Sequence, residues 1–208
     1  MNPIKLPTRD LNDSFSLGKA LNKRASCRNF KKKSITLKEL SNMLWAADGI
    51  TDKRFSMRRT VPSAGASYPI ELYVAVRKNG IYELDEGVYR YNANEHMLEK
   101  LSDTDISEEL IEATFNQGFL AKASANILIA SKDERTKELY GERADRYILM
   151  EAGGITQNIH LEAVELELGT VLIGAFDDNQ VKKLYQAENL TPLCMMPVGK
   201  PEDQNMYK

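Results

Sequence analysis

A single apolar stripe runs through the sequence from about residue 143 to residue 168. Its members recur at helical spacing and are Ile148, Ile155, Ile159, Ala163 and Leu166. A helix of about 26 residues is roughly 39 Å long. Such a helix is too long for the edge of a 208-residue chain, so we expect it at the centre of the fold or at a subunit interface. Gly153 and Gly154 in its middle weaken the helix intrinsically, which indicates that another element packs closely there.

The other periodic segments combine short helices with strands. The sequence TLKE at residues 36–39 is a capping box, and the helix that it begins should end at Asp48. Leu72, Val74 and Val76 alternate as in a half-buried strand, and the Asn-Gly pair at 79–80 is typical of a hairpin turn. Further strands are predicted at residues 88–91, 97–101, 125–131, 170–176 and 192–199. Strands that come first in hairpins and then between helices indicate an α+β fold, which we expect to form one domain over residues 1–208.

Composition and cysteine usage argue against several classes of protein. Hydrophobic residues make up 42% and charged residues 28% of the chain, as is usual in globular proteins. No apolar run approaches the ~18 residues of a membrane span, and the N-terminus lacks the apolar core of a secretory signal. We therefore expect a cytoplasmic protein without membrane contact. Cys27 and Cys194 form no CxxC pair, and there are two histidines, so neither a disulfide framework nor a metal site is predicted.

Charge is unevenly distributed along the chain. Residues 1–60 carry a net charge of +9, whereas the remainder carries −11. This asymmetry indicates that the N-terminal third meets an anion, although a solvated basic face would give the same pattern. Nucleic acid is not expected, because the basic stretch contains one aromatic residue, Phe30, and no recognition motif. A small phosphate ligand fits better, and we interpret the lysines at 31–33 as solvated.

Two short segments have unusual composition. The first, RASCRNF at residues 24–30 (the arginine segment), places two arginines around a cysteine that we interpret as a buried free thiol. The second, PSAGASY at residues 62–68 (the small-residue loop), presents nearly bare backbone directly before a strand. Pro62 and Pro69 fix φ at their own positions and so restrict this loop. Taken alone, the loop is either an ordinary turn or a surface that a ligand approaches closely.

Together with the sequence from Gly153 to Phe176, these segments resemble the FMN-dependent nitroreductase family. The order and spacing match from about residue 15 to residue 201, including QN at 157–158 and GTVLIGAF at 169–176. The chain is most similar to the branch containing the dehydrogenases of streptolysin and cyanobactin peptide maturation. The resemblance implies a nitroreductase-like fold with a central antiparallel-rich mixed sheet flanked by helices. It also implies a homodimer with the long helix and two FMN sites at the interface.

The resemblance further implies which residues contact FMN. Phosphate and ribityl contacts come from the arginine segment, namely Arg24, Ala25, Ser26 and Arg28, and Lys200 is a further phosphate ligand. The small-residue loop lies against the flavin held mainly by the other subunit, through Pro62, Ser63, Ala64, Gly65 and Ala66. The reactive edge of the ring passes Ile173, Gly174 and Ala175, where a backbone N–H can bond the flavin N5. Gln157 bonds either the pyrimidine edge or a neighbouring helix.

The implied activity is hydride transfer from NAD(P)H through FMN to a small organic acceptor, with no catalytic side chain required. Oxidation of a peptide or other organic substrate is one alternative, and a flavin-binding module without turnover is another. The peptide-maturing branch carries a Lys-Tyr pair where this chain has Leu139 and Tyr140, so azoline oxidation is not predicted. Classical nitroreductases usually carry Asn and Trp where this chain has Ala66 and Ile70, so a nitroaromatic substrate is not predicted either.

Overall fold

A computed structural model describes residues 3–9, 15–52, 58–203 and 206–207. The α-helices are α1 (Leu17–Lys23), α2 (Leu37–Asp48), α3 (Glu109–Ala113), α4 (Glu134–Tyr140), α5 (Ala144–Glu165) and α6 (Asp178–Tyr185). The β-strands are β1 (Ile4–Lys5), β2 (Ile35–Thr36), β3 (Ile50–Asp52), β4 (Arg58–Arg59), β5 (Ile70–Val76), β6 (Ile81–Tyr82), β7 (Gly87–Asn92), β8 (Met97–Ser102), β9 (Ala125–Ser131), β10 (Gly169–Thr170) and β11 (Thr191–Gly199). Short 3-10 helices lie at Ala64–Ala66, Gly118–Ala121 and Gly141–Arg143.

Seven strands form one sheet in the order β1-β8-β7-β5-β9-β11-β10. Every pairing within this sheet is antiparallel. The predicted α+β class with an antiparallel-rich sheet is therefore confirmed. Parallel pairing occurs between the two short strands β2 and β6, which lie outside the large sheet.

Apolar side chains cover both faces of the sheet. In β5, Leu72 and Val74 face one core, which also contains residues of α2 and α5, whereas Tyr73 and Ala75 face a second core with residues of α3 and α6. Alternate side chains of a strand point to opposite faces, so a strand buried on both faces needs an almost continuous apolar sequence. This explains why β9 reads ANILIAS without polar interruptions other than Asn126 and its terminal serine.

The long helix α5 contains 22 residues and is shorter than predicted at its C-terminal end. Glu167 has a positive φ of 53°, and the Leu168 amide turns back to the carbonyl of Ala163. The stripe from Ile148 to Ala163 is buried and belongs to the same core as α2. Close packing explains one of the two mid-helix glycines, because a methyl group at Gly154 would lie 2.8 Å from Val61 Cγ1. Gly153 faces open space.

Two local predictions need correction. The turn at Asn79 does not join paired strands, because β6 follows it and pairs with β2, while β5 pairs with β7. The predicted buried strand at residues 170–176 is reduced to β10 and an isolated bridge at Ile173. β10 is the last strand of the sheet, so the residues after it have no outer neighbour, and Leu172 and Gly174 are exposed. Within the described ranges, no helix has both the length and the apolar character that a bilayer crossing requires.

Candidate functional site

The arginine segment lies against the outer edge of the sheet. The Cys27 amide donates to the Thr170 carbonyl at 2.9 Å, and the Lys31 amide donates to the Lys200 carbonyl at 2.9 Å. Cys27 and Phe30 are buried, whereas Ser26 and Arg28 are exposed. The thiol of Cys27 is free and buried, as predicted, and burial is the main cause of its raised pKa.

The two guanidinium groups of this segment are available for an anion. Arg24 is half-buried and Arg28 is exposed, and neither forms an ion pair with a described residue. Arg24 lies near His160 of α5, where burial and then the charge of Arg24 lower the pKa of the imidazole to about 4. His160 is therefore neutral at pH 7 and adds no positive charge beside Arg24.

Beyond β10 the chain presents unpaired backbone. Ile173 exchanges two hydrogen bonds with Met195, both 2.9 Å long. The next two residues, Gly174 and Ala175, are exposed, and their amides donate to no described residue. A methyl group at Gly174 would meet nothing within 4 Å. These amides can therefore donate hydrogen bonds to a ligand that carries an acceptor.

The small-residue loop contacts α4 and α5. The amides of Ser63, Ala64 and Gly65 donate to no described residue. A methyl group at Gly65 would lie 2.8 Å from the Tyr140 hydroxyl oxygen and 3.2 Å from Leu139 Cδ1. Leu139 and Tyr140 therefore form the side-chain wall next to this bare backbone.

Gln157 is exposed on α5 and hydrogen-bonds to no described residue. The interhelical bond considered for Gln157 is made instead by its neighbour Asn158, whose side chain donates to the Ala46 carbonyl of α2 at 3.0 Å. Gln157 is thus available to a partner outside the single chain.

Lys200, which was predicted to assist the two arginines, is paired within the chain. Its ammonium group pairs with Glu39 at 2.6 Å. It lines a groove of about 890 Å³ together with the lysines at 31–33, the buried Arg77 and Tyr207, and the residues from Arg24 to Arg28 do not line it. Lys32 and Lys33 are exposed, in agreement with their interpretation as solvated.

The structure thus brings the predicted residues together in two groups. The arginine segment and the backbone of Ile173, Gly174 and Ala175 share the outer edge of the sheet. The small-residue loop forms the second group, and no hydrogen bond or ion pair between described residues joins the two. Within a single chain, the two groups lie against different residues of α5, the small-residue loop beside Glu151 and the arginine segment beside His160.

The sequence prediction missed a cluster of buried charges behind the small-residue loop. It consists of Asp48 at the end of α2, Arg59 in β4 and Glu151 in α5. A signal was present for Glu151, because position 151 lies between Ile148 and Ile155 on the buried stripe of the long helix. A carboxylate on such a stripe is unusual unless it has a partner.

Comparison with known proteins identifies the relationship. The family model for the nitroreductase family matches residues 21–200. A candidate nitroreductase of Methanocaldococcus jannaschii, MJ1384, is 42% identical over 188 residues, which cover 90% of this chain and 92% of that protein. The crystal structure of a candidate nitroreductase from Ralstonia eutropha JMP134 has a TM-score of 0.84 at 26% identity, with 97% of this chain and 90% of that chain covered.

Two further solved structures share the fold at lower identity. A subunit of the Escherichia coli microcin synthetase McbBCD complex, solved with truncated pro-MccB17 bound, has a TM-score of 0.77 at 23% identity, covering 96% of this chain and 75% of that chain. A candidate nitroreductase from Desulfovibrio desulfuricans, solved in complex with FMN, has a TM-score of 0.62 at 20% identity, covering 92% and 90%. The match to the family model and the identity to the archaeal relative show that this chain belongs to the nitroreductase family.

Proposed function

We propose that this protein is an FMN-dependent oxidoreductase that takes hydride from NADH or NADPH and delivers it to a small organic acceptor. The main support for the proposal comes from the outer edge of the sheet. Two arginines without ion-pair partners and unpaired backbone amides lie at this edge. The FMN bound in the Desulfovibrio desulfuricans structure supports the same cofactor here.

The residues at this edge fit FMN. Guanidinium groups suit phosphate oxygens, so Arg24 and Arg28 would hold the phosphate with the Ser26 hydroxyl. The exposed amides of Gly174 and Ala175 would hold the ring, because the space where a Gly174 side chain would project is open. When bound, the flavin would supply the hydride chemistry. We assign no acid or base to a side chain of this site.

The separation of the two groups of predicted residues favours a site shared between two subunits. In a homodimer, the small-residue loop of one subunit would cover the flavin held at the sheet edge of the other. Large apolar side chains are exposed on the helices and on the segment after β10, where a second subunit would bury them: Leu17, Leu21, Leu139, Tyr140, Leu149, Met150 and Leu172. Exposed apolar groups of this size commonly mark protein interfaces.

The purified protein should be a dimer of about twice 23.5 kDa in light scattering at micromolar concentration. Changing both Leu149 and Met150 to glutamate should give a monomer that has lost flavin, because charges replace the exposed apolar groups of α5. Phe115→Glu is the matched control, since Phe115 is equally exposed but lies after α3. A wild-type monomer that holds FMN tightly would contradict the shared site.

Mixing the flavin-loaded protein with NADH or NADPH under anaerobic conditions should bleach the flavin absorption band rapidly. Free FMN at the same concentration is the control, and reoxidation by candidate acceptors then identifies the acceptor class. If the band does not change, the protein either oxidises another substrate or binds flavin without turnover. Azoline oxidation is not our proposal, because this chain has Leu139 where the peptide-maturing branch carries its lysine.

A further inference from the structure

The small-residue loop has a strained backbone. Gly65, Ala66 and Tyr68 have positive φ angles of 59°, 52° and 43°. Two of these residues are not glycine, and a non-glycine residue in the left-handed region is energetically unfavourable. Such a conformation persists only when surrounding groups hold it.

Polar contacts rather than packing hold the end of the loop. The Tyr68 amide donates to the Ser63 hydroxyl at 2.9 Å, and Arg135 donates to the Tyr68 carbonyl at 2.8 Å. The hydroxyls of Ser67 and Thr136 lie 2.9 Å apart. Behind Ser67 and Tyr68 lies a pocket of about 360 Å³ that Asp48 and Arg59 also line.

Both ends of the loop are connected to buried charges. The Arg59 guanidinium stacks 4.4 Å from the centre of the Tyr68 ring and forms an ion pair with Asp48. At the other end, the carboxylate of Glu151 lies beside the Ser63 hydroxyl, which lowers the pKa of Glu151 against the larger effect of burial. Asp48 is 3% exposed and Glu151 is 5% exposed. One cation therefore lies near two buried carboxylates that reach the loop from opposite ends.

Buried charges of this kind are a poor way to stabilise a fold. Desolvation of an ion pair commonly offsets its attraction, and apolar residues of the same volume are often more stable. One oxygen of Asp48 and the Nε atom of Arg59 also lack hydrogen-bond partners among the described residues. A role in fixing the loop accounts for these costs better than a role in the core does.

We propose that Glu151 and the Asp48–Arg59 pair are positioning residues that hold the small-residue loop in its strained conformation, with the amides of Ser63, Ala64 and Gly65 unpaired. The proposal rests on the proposed function in one respect, namely that these amides face the flavin of the other subunit. The positioning of the loop itself does not depend on flavin.

The pH dependence of the free energy of unfolding responds to Asp48 and Glu151 in a way that packing alone would not. Burial raises the pKa values of Asp48 and Glu151 to about 7, although Arg59 lowers both. The groups facing Asp48 are Arg59, Glu151, Glu71 and Tyr91, and those facing Glu151 are Arg59, Asp48 and Ser63.

A carboxyl with a raised folded pKa stabilises the protein at low pH and loses that contribution as pH rises through its folded pKa. The free energy of unfolding should therefore fall between about pH 5 and pH 8, and Glu151→Gln should make this dependence shallower.

Amide hydrogen exchange in the apo-protein tests the positioning directly. Ala66, Ser67 and Tyr68 donate hydrogen bonds within the loop, so their amides report on its conformation. In Glu151→Ala these three amides should exchange at least about tenfold faster, a loss of ~1.4 kcal/mol of local protection, while β9 keeps its protection. Glu151→Gln retains a hydrogen-bonding group and should stay close to wild type. Glu138→Ala, an exposed acid on α4, is the control and should change nothing.

FMN titration of the same variants connects the loop to the site. Glu151→Ala should bind FMN at least about tenfold more weakly than Glu151→Gln. If Glu151→Ala does not fold, Ser63→Ala removes the loop's side of the same contact. This change also removes the acceptor of the Tyr68 amide, so only the amides of Ala66 and Ser67 report on the loop in this variant, and both should exchange faster. Unchanged exchange at residues 66–68, or equal loss of protection in β9, would overturn the positioning role. If the wild-type protein binds no FMN, the proposed function fails, and the exchange experiment still decides the positioning role.

Discussion

Replacing Arg24 with alanine should weaken FMN binding by about 10- to 150-fold. A charge-assisted hydrogen bond contributes ~1.5–3 kcal/mol, and each ~1.4 kcal/mol is a factor of ten in affinity. Arg24 makes no ion pair with a described residue, so the change removes a contact with the ligand rather than a contact within the protein. Titration of the apo-protein followed by flavin fluorescence measures the dissociation constant.

Two comparisons separate a phosphate contact from other roles of Arg24. Lys32→Ala removes an exposed charge nearby and should change the affinity far less. Riboflavin, which lacks the phosphate, should bind weakly and should hardly distinguish wild type from Arg24→Ala. Equal losses for Lys32→Ala and Arg24→Ala would indicate a diffuse basic surface. An equal loss for riboflavin and FMN would make Arg24 a structural residue.

The second large effect is expected at Gly169, where the arginine segment contacts the sheet. A methyl group at this fully packed position would lie 2.5 Å from Cys27 Sγ and 3.1 Å from Phe30 Cε1. Gly169→Ala should therefore displace the arginine segment and cost about 1–3 kcal/mol of stability, as overpacking usually does. Because Arg24, Ser26 and Arg28 move together, FMN affinity should also fall by at least about tenfold, or ~1.4 kcal/mol. Thermal unfolding and flavin titration measure the two effects.

Two controls accompany this substitution. Gly18→Ala lies on the exposed helix α1, where a methyl group meets only the Ser16 hydroxyl at 3.6 Å, so it should leave FMN binding unchanged and stabilise the helix slightly. Adding Cys27→Ala to Gly169→Ala removes the sulfur atom of the clash and should restore part of both losses, as expected for residues in contact. If Gly169→Ala binds FMN like wild type, the segment is not held by this contact.

Local signals in the sequence predicted much of the fold. The capping box at Thr36 and Glu39 is present with both of its hydrogen bonds, because its geometry depends only on residues three positions apart. The alternation in β5 correctly predicted that Leu72 and Val74 share one face, because this signal also depends only on residues close in the sequence. The sequence predicts an end of α5 that is too late, because the apolar pattern continues to Leu166 and Leu168. In the structure the helix ends at Glu165, and these two leucines lie beyond it.

Features that depend on distant partners could not be predicted in this way. The parallel pairing of β6 with β2 joins residues that are far apart in the sequence, so the Asn-Gly turn alone suggested a simpler hairpin. The pairing of Lys200 with Glu39 and the contact of Glu151 with Ser63 likewise depend on the tertiary fold. The resemblance to the family supplied the candidate flavin residues, and their assignment to FMN stays a proposal.

The most direct measurement is the identity and amount of flavin held by the purified protein. The protein is purified, reconstituted with a mixture of FMN and FAD if it is colourless, and freed of unbound flavin before heat release and mass analysis. We expect FMN at about one per subunit, because the proposed site offers two arginines without ion-pair partners, which suit a single phosphate group. FAD as the retained cofactor, or no flavin after reconstitution, would contradict the proposal that this member of the nitroreductase family works through FMN.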